Sequence, residues 1–161
     1  MKTRILLTVL IVSFFAVYFG MKKVISFQDI QTISSITLTG KEVVSIDDVI
    51  SQTLSETTSK LTFKLKSNSY NVNNTLEGNC VGYTMFYNDL LVEELRKKGY
   101  GNVTVSHIRA KVHVMGINVH MIDYKPLLDH DVTMVKNNTT NETYIIDASL
   151  SEVFDDIVIK R

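Results

Sequence analysis

The chain of 161 residues carries 17 basic and 17 acidic side chains, is 45% hydrophobic and 21% charged, and holds 7 glycines and 1 proline. These proportions exclude a disordered or collagen-like chain, and the length predicts one folded domain with a real core rather than a multidomain enzyme. The even charge balance offers no basic surface for a nucleic-acid backbone, so no nucleic-acid partner is expected. The single cysteine, Cys80, excludes an internal disulfide and a multi-cysteine zinc site, so any cysteine chemistry belongs to one thiol.

In chain order, the first feature is an uncharged run, residues 5–21, between Lys2 and Arg4 on one side and Lys22 and Lys23 on the other. Its length falls on the border between the apolar core of a secretory signal, about 7–15 residues, and a spanning helix, about 17–25. Bulky Tyr18 stands where a signal peptidase needs a small side chain, so residues 1–23 are predicted to be an uncleaved signal anchor rather than a cleaved signal peptide. The membrane is then a partner through this helix, and the rest of the chain lies on the extracytoplasmic side, in the periplasm or at the cell surface. Residues 1–23 contain four basic residues and no acid, which leaves 13 basic and 17 acidic residues beyond them, a formal −4. Asn-x-Thr sequons begin at Asn73, Asn102, Asn137, Asn138 and Asn141 and reflect an Asn- and Thr-rich composition.

Residues 24–60 are predicted as an N-terminal extension. Alternation over 27–44 suggests one or two strands, and Ser45 followed by Asp47 and Asp48 marks the start of a short helix, 46–56. Within a following domain, 61–161, residues 61–66 alternate like a strand and 67–79 read as an exposed Ser- and Asn-rich loop. From Cys80 to Lys98 the pattern is helical, with Asp89, Glu93, Arg96 and Lys97 opposite Tyr83, Tyr87, Leu91 and Leu95, and Gly99 ends the element. Strand-like runs follow at 103–114, 117–123, 130–136 and 142–147. The expected fold class is α+β, a central helix packed on an antiparallel sheet.

Cys80 falls in the first turn of that helix, where unpaired amides and the helix dipole favour a thiolate. The bland alternative is a small core side chain, since free cysteines are commonly buried. The helical wheel puts Cys80 on the apolar side with Thr84, Tyr87 and Leu91, so its sulfur is aimed at the sheet. Four histidines are available. His107 and His113 share a strand face with Arg109 and Lys111 and read as solvated surface, and His120 between Val119 and Met121 reads as a core histidine. No His spacing matches a metal site, and no metal or cofactor is expected.

His130 opens a strand whose alternate residues, Val132 and Met134, are apolar, which turns its imidazole to the buried face where the helix is expected. The next strand ends in Asp147. If Lys136 pairs with Asn141 across a four-residue turn, His130 and Asp147 face each other directly; a five-residue turn puts Asp147 on the wrong face unless a bulge intervenes. In the favourable register Asp147 accepts a proton from one ring nitrogen of His130 and leaves the other for the Cys80 thiol, a Cys-His-Asp design. Asp129 and Asp131 are rival partners for His130, and Asp147 has an alternative as a turn-capping acid before Ala148 and Ser149.

The run Gly78-Asn79-Cys80-Val81-Gly82-Tyr83 at a helix start, a histidine opening a strand, and Tyr144-Ile145-Ile146-Asp147 closing the next resemble the transglutaminase-like superfamily of papain-related cysteine enzymes, bacterial exported type, over about residues 60–150. The resemblance implies a papain-like, transglutaminase-like core with Cys80 as nucleophile, His130 as base and acid, and Asp147 as orienter. The implied function is thiol-dependent acyl transfer on a peptide or protein amide substrate, as a cysteine peptidase, amidase or transglutaminase. Asn74 and Asn79 are candidate oxyanion donors beside the Cys80 amide. Family members often carry a large residue shortly after the histidine and a proline after the acid, whereas here Asp131-Val132 and Ala148 follow. The alternative is therefore a catalytically inactive envelope module of the same fold that binds peptide or cell-wall components.

Overall fold

A computed structural model describes residues 25–64, 77–114, 117–118, 130–152 and 157–161. The expected anchor at 1–23, most of the 67–79 loop with Asn74, the end of the 117–123 strand with His120, and Asp129 lie outside the described residues.

Among the described residues the fold is mixed, two helices with an antiparallel sheet. Strand β1 (Ile25–Leu38) is followed by β2 (Lys41–Glu42), helix α1 (Asp47–Lys60), β3 (Thr62–Phe63) and β4 (Glu77–Gly78). Helix α2 (Cys80–Lys97) leads into β5 (Tyr100–Gly101), β6 (Val103–Val114), β7 (Ile117–Asn118), β8 (His130–Asn137), β9 (Thr143–Asp147), a short 3-10 turn (Leu150–Glu152) and β10 (Ile157–Lys160). The main sheet runs β1-β6-β8-β9-β10, every neighbouring pair antiparallel, with β7 on β6. Two small parallel pairs, β2 with β5 and β3 with β4, brace the ends of α2.

Both faces of the sheet are covered. On one, Val103, Val105, Val135, Tyr144 and Ile146 pack against Tyr83, Tyr87, Leu91 and Leu95 of α2 and Ile46, Ile50 and Leu54 at α1. On the other, Ile108, Ala110, Val112, Val132 and Ile145 pack with Phe27 and Ile157. Strand β1 and helix α1, from the stretch read as an extension, thus share the sheet and its core with the later residues.

Several expectations are corrected in detail. Helix α1 continues to Lys60 instead of ending at 56, because the Thr57 and Thr58 hydroxyls bond back to the carbonyls of Thr53 and Leu54 at 2.9 and 3.1 Å and so remain inside the helix. Ile46 holds the cap position, and the Ser45 hydroxyl accepts from the Asp47 amide at 3.4 Å and donates to the Asp47 carboxylate at 2.7 Å. The strand expected at 61–66 is the two-residue β3, and Glu77–Gly78 of the expected loop forms its partner. Strand β10, one edge of the sheet, has no counterpart among the expected elements.

His107 and His113 are not solvated surface; they are 8% and 9% exposed. His107 and Arg109 of this face line a groove beside Met85 and Asn88 of helix α2, and there His107 Nε2 meets Asp131 Oδ1 at 2.7 Å, with Arg109 3.4 Å from the same oxygen. Although burial pushes its carboxyl up, contact with His107 and the Arg109 charge hold Asp131 below its usual range. Asp131 is thereby committed away from His130.

Candidate active site

Cys80, His130 and Asp147 meet at one end of the sheet, where α2 begins, β8 begins and β9 ends. The start of α2 is fixed by Asn79, whose Oδ1 accepts from the Val81 and Gly82 amides at 3.1 and 3.2 Å. The cap engages the Asn79 oxygen and leaves its Nδ2 donor outside the capping bonds. The Cys80 amide is the first of the helix and has no intrahelical acceptor by construction. No acid stands in the first turn, so the positive end of the helix dipole is uncompensated beside the half-buried Cys80.

His130 and Asp147 are brought together by a turn one residue further along the chain than expected. Lys136 pairs with Thr143 rather than Asn141, and the Asn137 amide bonds to the Glu142 carbonyl at 2.9 Å, so the four turn residues are 138–141. The buried Asn137 side chain dictates the shift. Its amide donates to the Val43 carbonyl at 2.9 Å and its oxygen accepts from the Thr139 amide at 3.0 Å, while Asn141 takes the left-handed conformation, φ +61°. Both ends of the turn move by one residue, so face parity survives. Continuing the register puts Asp147 opposite Val132, one diagonal step from His130 instead of directly across.

The diagonal contact is close, with His130 Nε2 and Asp147 Oδ2 2.7 Å apart and both side chains almost fully buried. The oxygen lies off the ring N–H axis, so the pair is held by charge rather than by an aligned hydrogen bond. The other carboxylate oxygen, Oδ1, accepts from the Ser149 amide at 3.1 Å, the Ser149 hydroxyl at 2.8 Å and the Leu150 amide at 3.0 Å. The two sequence alternatives for Asp147, histidine partner and turn cap, are therefore both realised, one oxygen to each.

Burial by itself pulls the His130 imidazole down in pKa. The Asp147 carboxylate, by charge and contact, and the neighbouring Cys80 sulfur override it and carry His130 up to about 10. At neutral pH the ring is an imidazolium between two acidic groups. Nε2 faces Asp147, and Nδ1 is the nitrogen left for the thiol.

One expectation about His130 is corrected. By strand parity it shares the face of Val132, which packs away from α2, whereas Asp131, Thr133 and Val135 face the helix. Alternation could not reveal this, because nearly every residue of β8 is buried and the face that meets the helix carries polar Asp131 and Thr133, held there by His107 and Asn88. His130 is brought near Cys80 because it stands at the strand's first position, level with the start of the helix. Sequence reasoning also missed the His107–Asp131–Arg109 cluster, whose signal is an acid of opposite parity to His130 facing a histidine on the neighbouring strand.

A groove of about 380 Å³ begins at Val81, next to Cys80, and follows α2 past Met85 to Val92, with Ile33 and Ile36 of β1 as its far wall. No family model matches the chain, and neither a curated protein nor a solved structure matches it.

Proposed function

We propose that the chain is a membrane-anchored, extracytoplasmic thiol enzyme of transglutaminase-like, papain-related type that transfers acyl groups from amide bonds. The observation that carries this reading is the convergence of Cys80, His130 and Asp147, with the imidazolium between the thiol and a carboxylate that is itself fixed by three hydrogen bonds. The helix start beside the sulfur, free of acidic residues, supports it.

In this reading Cys80 attacks the amide carbonyl carbon as a thiolate, its proton already held on the His130 imidazolium, and the carbonyl electron pair moves to oxygen beside the Cys80 amide. Collapse of the adduct breaks the C–N bond, and the departing amine takes the proton held on His130. The thioester left on Cys80 is then attacked by water in hydrolysis or by an amine in transamidation; His130 receives the attacking group's proton, and the sulfur leaves as the thiolate, which restores the thiolate–imidazolium pair. The groove from Val81 along α2, lined by both apolar and polar side chains, gives a polypeptide substrate a surface along the helix that carries the nucleophile. Anchoring by residues 1–23 places the reaction at the outer face of a membrane.

The test is turnover of peptide amides by the full chain and by Cys80→Ala. The variant folds, because its small side chain suits the first helical turn, and loses all turnover and all thiol labelling. Comparable amidase activity in Cys80→Ala overturns the assignment.

A further inference from the structure

Helix threonines commonly turn their hydroxyl back onto the carbonyl one turn earlier, and Thr57 and Thr58 do so in α1. Thr84 does not. It is 2% exposed, stands one turn after Cys80, and its Oγ1 donates across the interior to the backbone carbonyl of Asp131, the residue after His130, at 2.8 Å. One turn further on, Asn88 Oδ1 accepts from the Thr133 hydroxyl at 2.6 Å.

The two cross-links advance in step. Four residues along a helix rise about 6 Å, and two residues along an antiparallel strand rise about 6.8 Å. Helix α2 and strand β8 are thus pinned in parallel at 84 to 131 and at 88 to 133. One turn back along the helix from Thr84 is Cys80, and one residue back along the strand from Asp131 is His130, so the first cross-link joins the neighbours of the thiol and of the imidazole. The strand side is held rigidly, because the Asp131 side chain is fixed by His107 and Arg109. Apolar contacts between α2 and the sheet are non-directional and tolerate sliding by an ångström, whereas a buried hydrogen bond to a fixed carbonyl does not.

We infer that Thr84, assisted by Asn88, is a positioning residue that locks the helix carrying Cys80 in register with the strand carrying His130. This rests on the thiol-enzyme reading above. Neither side chain touches the reacting atoms; they act through the backbone of Asp131 and the side chain of Thr133.

The experiment is the rate of iodoacetamide alkylation against pH in the full chain, where Cys80 is the sole cysteine, compared across His130→Ala, Thr84→Val, Thr84→Ser and Asn88→Ala, with thermal melts alongside. Valine keeps the shape of threonine and removes the donor; serine keeps the donor. Misplacement of a reacting pair by about 1 Å costs up to about 100-fold, so Thr84→Val is expected to lose about 10- to 100-fold of the alkylation rate near pH 6.5 and to approach the His130→Ala profile. Thr84→Ser stays near the unaltered chain. A Thr84→Val protein that melts lower but keeps the full rate and pH profile overturns the inference, since a structural role alone predicts that result. Should Thr84→Val fail to fold, Asn88→Ala carries the same test, because Asn88 is only half-buried and alanine suits a helix; an unchanged profile there overturns the lock. If His130→Ala itself matches the unaltered chain, the thiol-imidazole reading fails, and the lock with it, in a variant that leaves the seam intact.

Discussion

Asp147 divides its two oxygens between fixing a turn and charging an imidazole, and the division makes its functional half separable from its structural half. Asparagine at 147 retains an oxygen for Ser149 and Leu150 and removes the charge that opposes the desolvation of His130. For Asp147→Asn, the titration of His130 followed by NMR is expected to fall steeply from about 10, and amide turnover to drop about 10³-fold or more, while the turn contacts to Ser149 and Leu150 persist and the melting temperature falls because the buried charged pair is broken. The raised pKa of His130 also sets a pH window for stability. A histidine whose folded pKa exceeds its ordinary 6.5 contributes stability that is complete below about 6.5 and is lost as the pH rises through about 10. Denaturant unfolding of the unaltered chain and of His130→Gln is expected to differ by about 3–5 kcal/mol at pH 6, the cost of breaking a buried charged pair, with the gap closing above pH 10. A gap that stays constant over this range would show that packing rather than charge holds the ring in place.

At the scale of elements, helix α2 and strands β6, β8 and β9 were legible because hydrophobic periodicity and capping residues are local signals. Asn79 before Cys80, and Gly99 with φ +67° after the last turn, mark both ends of α2 in the sequence itself. The turn between β8 and β9 was legible in length but not in position, because the residue that sets it, Asn137, is anchored by the carbonyl of Val43, far away in the chain. The parallel pair β2 and β5 was not legible at all. Its two strands are two residues each and approach so closely that a side-chain carbon on Gly101 would collide with the backbone of Gly40. Gly101→Ala is therefore expected to cost about 3 kcal/mol or more, measured by denaturant unfolding, because backbone cannot move aside as a flexible side chain can.

At the scale of the molecule, two cores share one sheet. Strand β1 gives Phe27 to the core on one face, and the segment from Ile46 through α1 gives Ile46, Ile50 and Leu54 to the other. A fragment spanning 61–161, the domain suggested by sequence pattern, is expected to show no cooperative melt by circular dichroism, whereas 25–161 melts in a single transition. A cooperative fragment 61–161 would show that β1 and α1 are accessories. By itself the sequence determined the start of α2 at Cys80 and the alternating strands that follow, because propensity, capping and a period of two are written in neighbouring residues. Only the tertiary structure decided that both faces of β8 are buried, that His107 rather than His130 holds Asp131, and that Thr84 reaches the Asp131 carbonyl. These depend on which elements lie against each other, and alternation misplaces the helix when the residues that meet it, Asp131 and Thr133, are buried polar groups and the apolar Val132 faces the other core.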